Sequence, residues 1–127
     1  MSYYFAKTVD MPFDEAVERA TSVLQENGFG VLTTIDVSAT LKKKLDVDMP
    51  RHVILGACNP GYAHQALQAE PHIGVMLPCN VPVRETDEGV EVAAVDPIAS
   101  MQAIGNEPLG EIAHTVKGLL KKVIDEL

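Results

Sequence analysis

The apolar positions of this chain change period several times, and each change marks an element. Residues 3–9 are a short run of aromatic and β-favouring types and predict a first strand. Past Asp10 the spacing lengthens: Phe13, Ala16, Val17, Ala20 and Leu24 recur every three or four residues. Pro12 suits a first helical turn and Asn27-Gly28 a helix end, so a helix is predicted between them. GVLTTI, residues 30–35, predicts a second strand, and Asp36 can cap a short helix reaching about Leu45. HVILGA, residues 52–57, is apolar without alternation, as expected of a strand inside a sheet with both faces covered. A helix over residues 60–70 follows, with Ala63, Ala66 and Leu67 inward and Gln65 and Gln68 outward.

IGVMLPCNVPVRET, residues 73–86, is too long and too broken for one simple strand. Its second half pairs naturally with VEVAAV, residues 90–95, across the turn DEG, which predicts a hairpin. Pro82 cannot donate to a ladder, so that arm is expected at a sheet edge or with a bulge. Asp96-Pro97 closes the strand region and can start a helical turn. From about Pro108 a stripe of Ile112, Val116, Leu119, Leu120, Val123 and Leu127 predicts a long helix packed on one face of the sheet. The expected order is β-α-β-α-β-α-β-β-α: an α/β (α+β) fold with a single mixed β-sheet of about five strands and helices packed on it. A length of 127 residues, without linker or repeat, predicts one domain over residues 1–127.

Composition narrows the partners. With 18 acidic and 10 basic side chains the net charge is −8, which repels phosphate backbones and anionic bilayers, so no nucleic acid and no membrane partner is expected. The basic run Lys42 to Lys44 is followed by Asp46 and Asp48 and reads as a solvated face. The N-terminal residues lack the pattern of a secretory signal, and no apolar run approaches the roughly 20 residues of a membrane span. A cytoplasmic protein with reduced thiols is expected. Without Trp, the core must rest on Val, Leu, Ile, Met and Ala.

Both cysteines precede an asparagine and lie beside a proline, in GACNPGY and LPCNVPV. At the first motif, Asn59 is suited to cap a helix and Pro60 to its first position. Cys58 then ends a strand beside unpaired amide donors that favour a thiolate, although a lone cysteine commonly serves as a small buried hydrophobe. If IGVML is a strand after a right-handed crossover, it runs parallel to HVILGA and the two cysteines share a sheet end; if the strand begins after Pro78, sharing that end requires an antiparallel pair. Cys58, Asn59, Cys79 and Asn80 are therefore the candidate ligand-binding or reactive-thiol positions.

Other chemistries find little support. Cys58 and Cys79 with His52, His64, His72 or His114 show none of the short paired spacings of a zinc site, so no metal ligands are assigned. A soft-metal thiolate site remains an alternative. By angular count, His64 and His114 fall on the polar sides of their helices. No nucleophile elbow or phosphate loop occurs, and the paired acids Asp14-Glu15, Asp87-Glu88 and Asp125-Glu126 read as solvated charge.

TIDVSATLKKKL, VILGACNPGYAHQAL, IGVMLPCNVPVRE and AVDP together resemble the domain of unknown function family numbered 302. The matching motif positions are Gly56 to Pro60, Gly74 and Leu77 to Cys79. The resemblance implies a compact α/β domain, dimeric, found mostly in bacteria and archaea, and supplies no activity or cofactor. The need to protect an edge arm near residues 80–85 also favours a homodimer. The function expected first is a dimeric small-molecule-binding protein with a pocket near the two Cys-Asn motifs. The alternatives are a thiol-based redox or soft-metal-binding protein, and a structural or interaction module without chemistry.

Overall fold

The computed structural model describes residues 2–127. The elements run β1 (Tyr4–Val9), α1 (Phe13–Glu26), β2 (Gly30–Asp36), α2 (Val37–Leu45), β3 (His52–Cys58), α3 (Pro60–Ala69), a 3-10 segment (Pro71–Met76), β4 (Cys79–Thr86), β5 (Gly89–Val95), α4 (Pro97–Ser100) and α5 (Glu107–Asp125). The strands form one sheet in the order β1-β5-β4-β3-β2, with β3 inside it as predicted; the expectation that both its faces are covered is corrected, since Val53, Leu55 and Ala57 are buried against the helices while His52 and Ile54 line the open groove. Helices pack on this sheet, so the α/β class and the five-strand count agree with the sequence pattern.

One expectation is corrected: the sheet is antiparallel in every pairing, not mixed. Residues 71–76 coil as a 3-10 segment, so the strand starts only at Cys79 and there is no parallel crossover. The place of Pro82 is also corrected. β4 lies between β3 and β5, where proline is ordinarily excluded. It is tolerated because the ladder to β5 stops at Val83↔Val92, one residue short of Pro82. A register shift does occur, but between Val31 and Thr33 in the edge strand β2.

The pleat decides which side chains reach the core. Val53, Leu55 and Ala57 of β3, Val81 and Val83 of β4, and Val90, Val92 and Ala94 of β5 are buried and belong to the main core with α1 and α5. Ala20, Val23 and Leu24 of α1 and Leu120 and Val123 of α5 are its fully buried helical members. Polar clamps hold the two helices in place. Asn27 Nδ2 donates to Val23 O and to Glu126 Oε1, both at 2.8 Å, tying the end of α1 to the end of α5. Lys117 Nζ of α5 meets the buried Asp96 at 3.2 Å, where Asp96 also caps α4 by accepting from Ile98 N. Leu67, expected inward, is exposed, because Ala66 alone of α3 is buried, in a small second cluster with Ile73 and Leu109.

Candidate functional site

The two Cys-Asn motifs meet at one end of the sheet. β3 ends at Cys58 while β4 begins at Cys79, and Ala57 pairs with Cys79. The antiparallel arrangement thus brings the cysteines to the same end. Asn59 Oδ1 accepts from Tyr62 N at 3.2 Å and caps α3, with Pro60 in the first turn, as the sequence predicts. The Asn59 amide nitrogen lies 3.0 Å from the point a Cβ on Gly28 would occupy, and Gly28 has φ +87°. Only glycine fits both that space and that backbone at the exit from α1.

The four candidate residues do not share one cavity. Cys79 follows the pleat of Val81 and Val83 and faces the helices. With Asn59, Phe29, Tyr62 and Leu77 it borders a void of about 40 Å³. Such a void holds water-sized molecules and no metabolite. Asn80 faces the other way, onto the side of the sheet that neither α1 nor α5 covers, and lines a groove of about 640 Å³. Cys58 borders neither space. No group of three or more His, Cys, Asp or Glu side chains is placed to hold a metal among the described residues, and His64, His72 and His114 are exposed.

Three cross-strand rows make the open face. The first is polar: His52↔Arg84, Arg84↔Glu91 and Glu91↔Thr8, with Arg84 Nε donating to Glu91 Oε1 at 3.0 Å. The second is apolar, with Ile35↔Ile54, Ile54↔Pro82 and, across the gap where the β4–β5 ladder has ended, Ala93↔Ala6. The third carries Thr33↔Gly56, Gly56↔Asn80 and Val95↔Tyr4. Val75, Met76, Leu77 and Pro78 wall the groove beside Asn80. Pro78 approaches so closely that a Cβ on Gly56 would meet its ring at 3.0 Å. In the sequence Arg84 and Glu91 are not singled out, and His52 is weighed only as a metal ligand. The alternation Asn80-Pro82-Arg84 against Glu91-Ala93-Val95 carries the signal that could have found them.

A family model described as Domain of unknown function DUF302 matches residues 5–127. The chain belongs to this family. The crystal structure of an uncharacterized conserved DUF302 protein from Bacillus stearothermophilus is similar over 98% of this chain and 98% of that chain, with a TM-score of 0.91 at 27% identity. No curated protein matches the chain. The DUF302 fold is thus kept in a relative that differs at most positions.

Within this DUF302 chain the two thiols have unequal surroundings, and no disulfide joins them. Burial, and secondarily the neighbouring Cys58, push the Cys79 thiol from an ordinary 9.0 up to about 11. Cys79 is therefore a poor nucleophile at neutral pH. Iodoacetamide is expected to modify Cys58 in native protein while sparing Cys79, as read by peptide mass spectrometry; equal rates would contradict this. Below about pH 9 the Cys79 thiol is protonated in folded and unfolded chains alike. Between 9.0 and about 11 only the unfolded chain ionises, so stability falls as pH rises across that window. The loss approaches about 3 kcal/mol at about 1.4 kcal/mol per pH unit. Urea titrations should show it in the wild type and not in Cys79→Ala.

Proposed function

We propose that this chain is a small-molecule-binding protein, one domain over residues 1–127, whose site is the groove on the open sheet face beside the second Cys-Asn motif. The observation that carries this reading is the groove itself. Its volume of about 640 Å³ lies in the range of ligand sites, whereas the void beside Cys79 does not. Its floor of Ile54, Pro82 and Ala93 is apolar, and Asn80 places a side-chain amide at its edge. This supports binding of an apolar body oriented by a few polar contacts. The two free thiols suit a reducing compartment, and the cytoplasm is the location this reading takes. No helix among the described residues is long and apolar enough to cross a membrane.

N-phenyl-1-naphthylamine, a neutral apolar fluorophore, tests the groove. It is expected to bind saturably, one per chain. Asn80→Phe, which fills the groove from an exposed position, should weaken it at least tenfold while leaving the melting temperature nearly unchanged. Undiminished binding to that variant would move the site elsewhere.

The same reading takes the protein as a homodimer, and α2 is the observation that favours it. Val37, Leu41 and Leu45 recur at a four-residue spacing along α2, yet this helix has no buried residue. Leu45 of α2, and Leu32 and Ile35 of the edge strand β2 itself, are 66%, 69% and 47% exposed. Covering such an edge is what a second copy would accomplish. Light scattering at micromolar concentration is expected to give twice the mass of one chain, and the double variant Leu32→Glu with Leu45→Glu half of that. A monomeric wild type would remove the dimer from the proposal.

A further inference from the structure

The groove has a polar end, and that end is lopsided toward donors. Arg84 and Glu91 are directly opposite on β4 and β5, and His52 is opposite Arg84 on β3. Glu91 Oε1 accepts from Arg84 Nε at 3.0 Å. Neither Nη of that guanidinium has a hydrogen-bond partner among the described residues. A guanidinium presents its donors as a planar fork, so a carboxylate that engages Nε leaves the outer Nη edge free for a second acceptor. Glu91 also limits the guanidinium's freedom, and a pre-oriented donor binds an anion at a smaller entropic cost than a loose one. Of the other polar groups at the groove, the Asn80 amide, the Tyr3 and Tyr4 hydroxyls and the His52 ring can donate, while the Ser100 hydroxyl already donates to Pro97 O.

We propose that the groove takes an amphipathic carboxylate, a free molecule with an apolar body over Ile54, Pro82 and Ala93 and its anionic head on the outer edge of Arg84. This rests on the groove being the binding site and adds the chemical class of the occupant. The net charge of −8 opposes any anion at long range, but solvent-exposed charges more than about 8 Å away are largely screened at physiological salt. The contact at Arg84 acts inside that distance. A hydrogen bond to a charged group changes affinity by about tenfold or more.

Displacement of N-phenyl-1-naphthylamine by decanoate and by decanol separates the head from the body. In the wild type decanoate is expected to displace the dye at about one tenth of the decanol concentration. Arg84→Gln should erase that preference by weakening decanoate far more than it weakens decanol or the dye. Glu91→Gln should strengthen decanoate severalfold, because it removes the negative charge beside the head while the amide oxygen of Gln can still accept from Arg84 Nε and keep the guanidinium oriented. The Arg84 and Glu91 side chains are partly exposed, so both variants should fold, with circular dichroism as the check. Equal potency of decanoate and decanol on the wild type, or an unaltered preference in Arg84→Gln, would overturn the carboxylate assignment and leave the groove standing. Failure of the dye to bind, or dye binding that Asn80→Phe does not weaken, would overturn both. A shift of oligomeric mass in Arg84→Gln without dye binding would instead make this face an interface between copies, and would equally overturn the assignment.

Discussion

Phe29→Ala lowers the unfolding free energy by about 3–5 kcal/mol, the usual cost of removing a fully buried ring. Phe29 is 1% exposed and follows the left-handed Gly28, so its position is dictated by the exit from α1. Its ring borders the void of about 40 Å³ shared with Tyr62 and Cys79. Removing it enlarges a space that already exists, and α3 cannot collapse into it, because Asn59 pins its first turn and Pro60 fixes its entry. Urea denaturation should show the loss as a lower midpoint with an unchanged slope. The same variant should speed alkylation of Cys79, since the ring is part of what shields it. A loss below about 1 kcal/mol would mean that the void closes and that Phe29 does not hold this end of the core.

Gly56→Val is expected to cost about 1–3 kcal/mol through overpacking and to disable the groove at the same time. A Cβ there would meet the Pro78 ring at 3.0 Å and the Thr33 Cβ at 3.3 Å. Neither neighbour can swing aside as the end of a long side chain could, because one is a ring and the other a branched carbon on an adjacent strand. The wall formed by residues 75–78 must therefore move off β3. Dye binding should weaken along with stability. Gly118 makes the contrast: a Cβ there meets nothing within 4 Å, and Gly118→Ala in α5 should stabilise by up to about 1 kcal/mol through helix propensity. If Gly56→Val melts and binds like the wild type, the close approach of Pro78 does not shape the groove.

The periodic helices were the most legible part of the chain. The three-to-four spacing from Phe13 to Leu24 and from Ile112 to Leu127 marks α1 and α5, because a helix must hide one stripe and the stripe is written in consecutive residues. Caps were legible for the same local reason: Asn59 with Pro60, and Asp96 with Pro97, act on amides two or three positions away. The β4–β5 hairpin could be read from its turn. Of the candidate site, the sequence marked the two Cys-Asn motifs, and their meeting at one sheet end could be stated only as a condition on the path between them.

Residues 71–76 show where local reading stops. Their apolar pattern suits a strand, but the structure coils them beside β4, and that choice makes the whole sheet antiparallel. Pro82 argued for an edge, yet strand order depends on which ladders end where, and the β5 ladder ends one residue before it. The facing of Cys79 and Asn80 follows from a register that a slip of one residue would reverse. His52, Arg84 and Glu91 are far apart in the chain and become neighbours only across three strands. By itself the sequence determined the elements other than residues 71–76, the caps at Asp36, Asn59 and Asp96, and the acidic charge, all properties of neighbouring residues. The tertiary structure alone decided strand order, the uncovered face and the groove upon it, because those depend on pairings between segments that carry no local mark of one another.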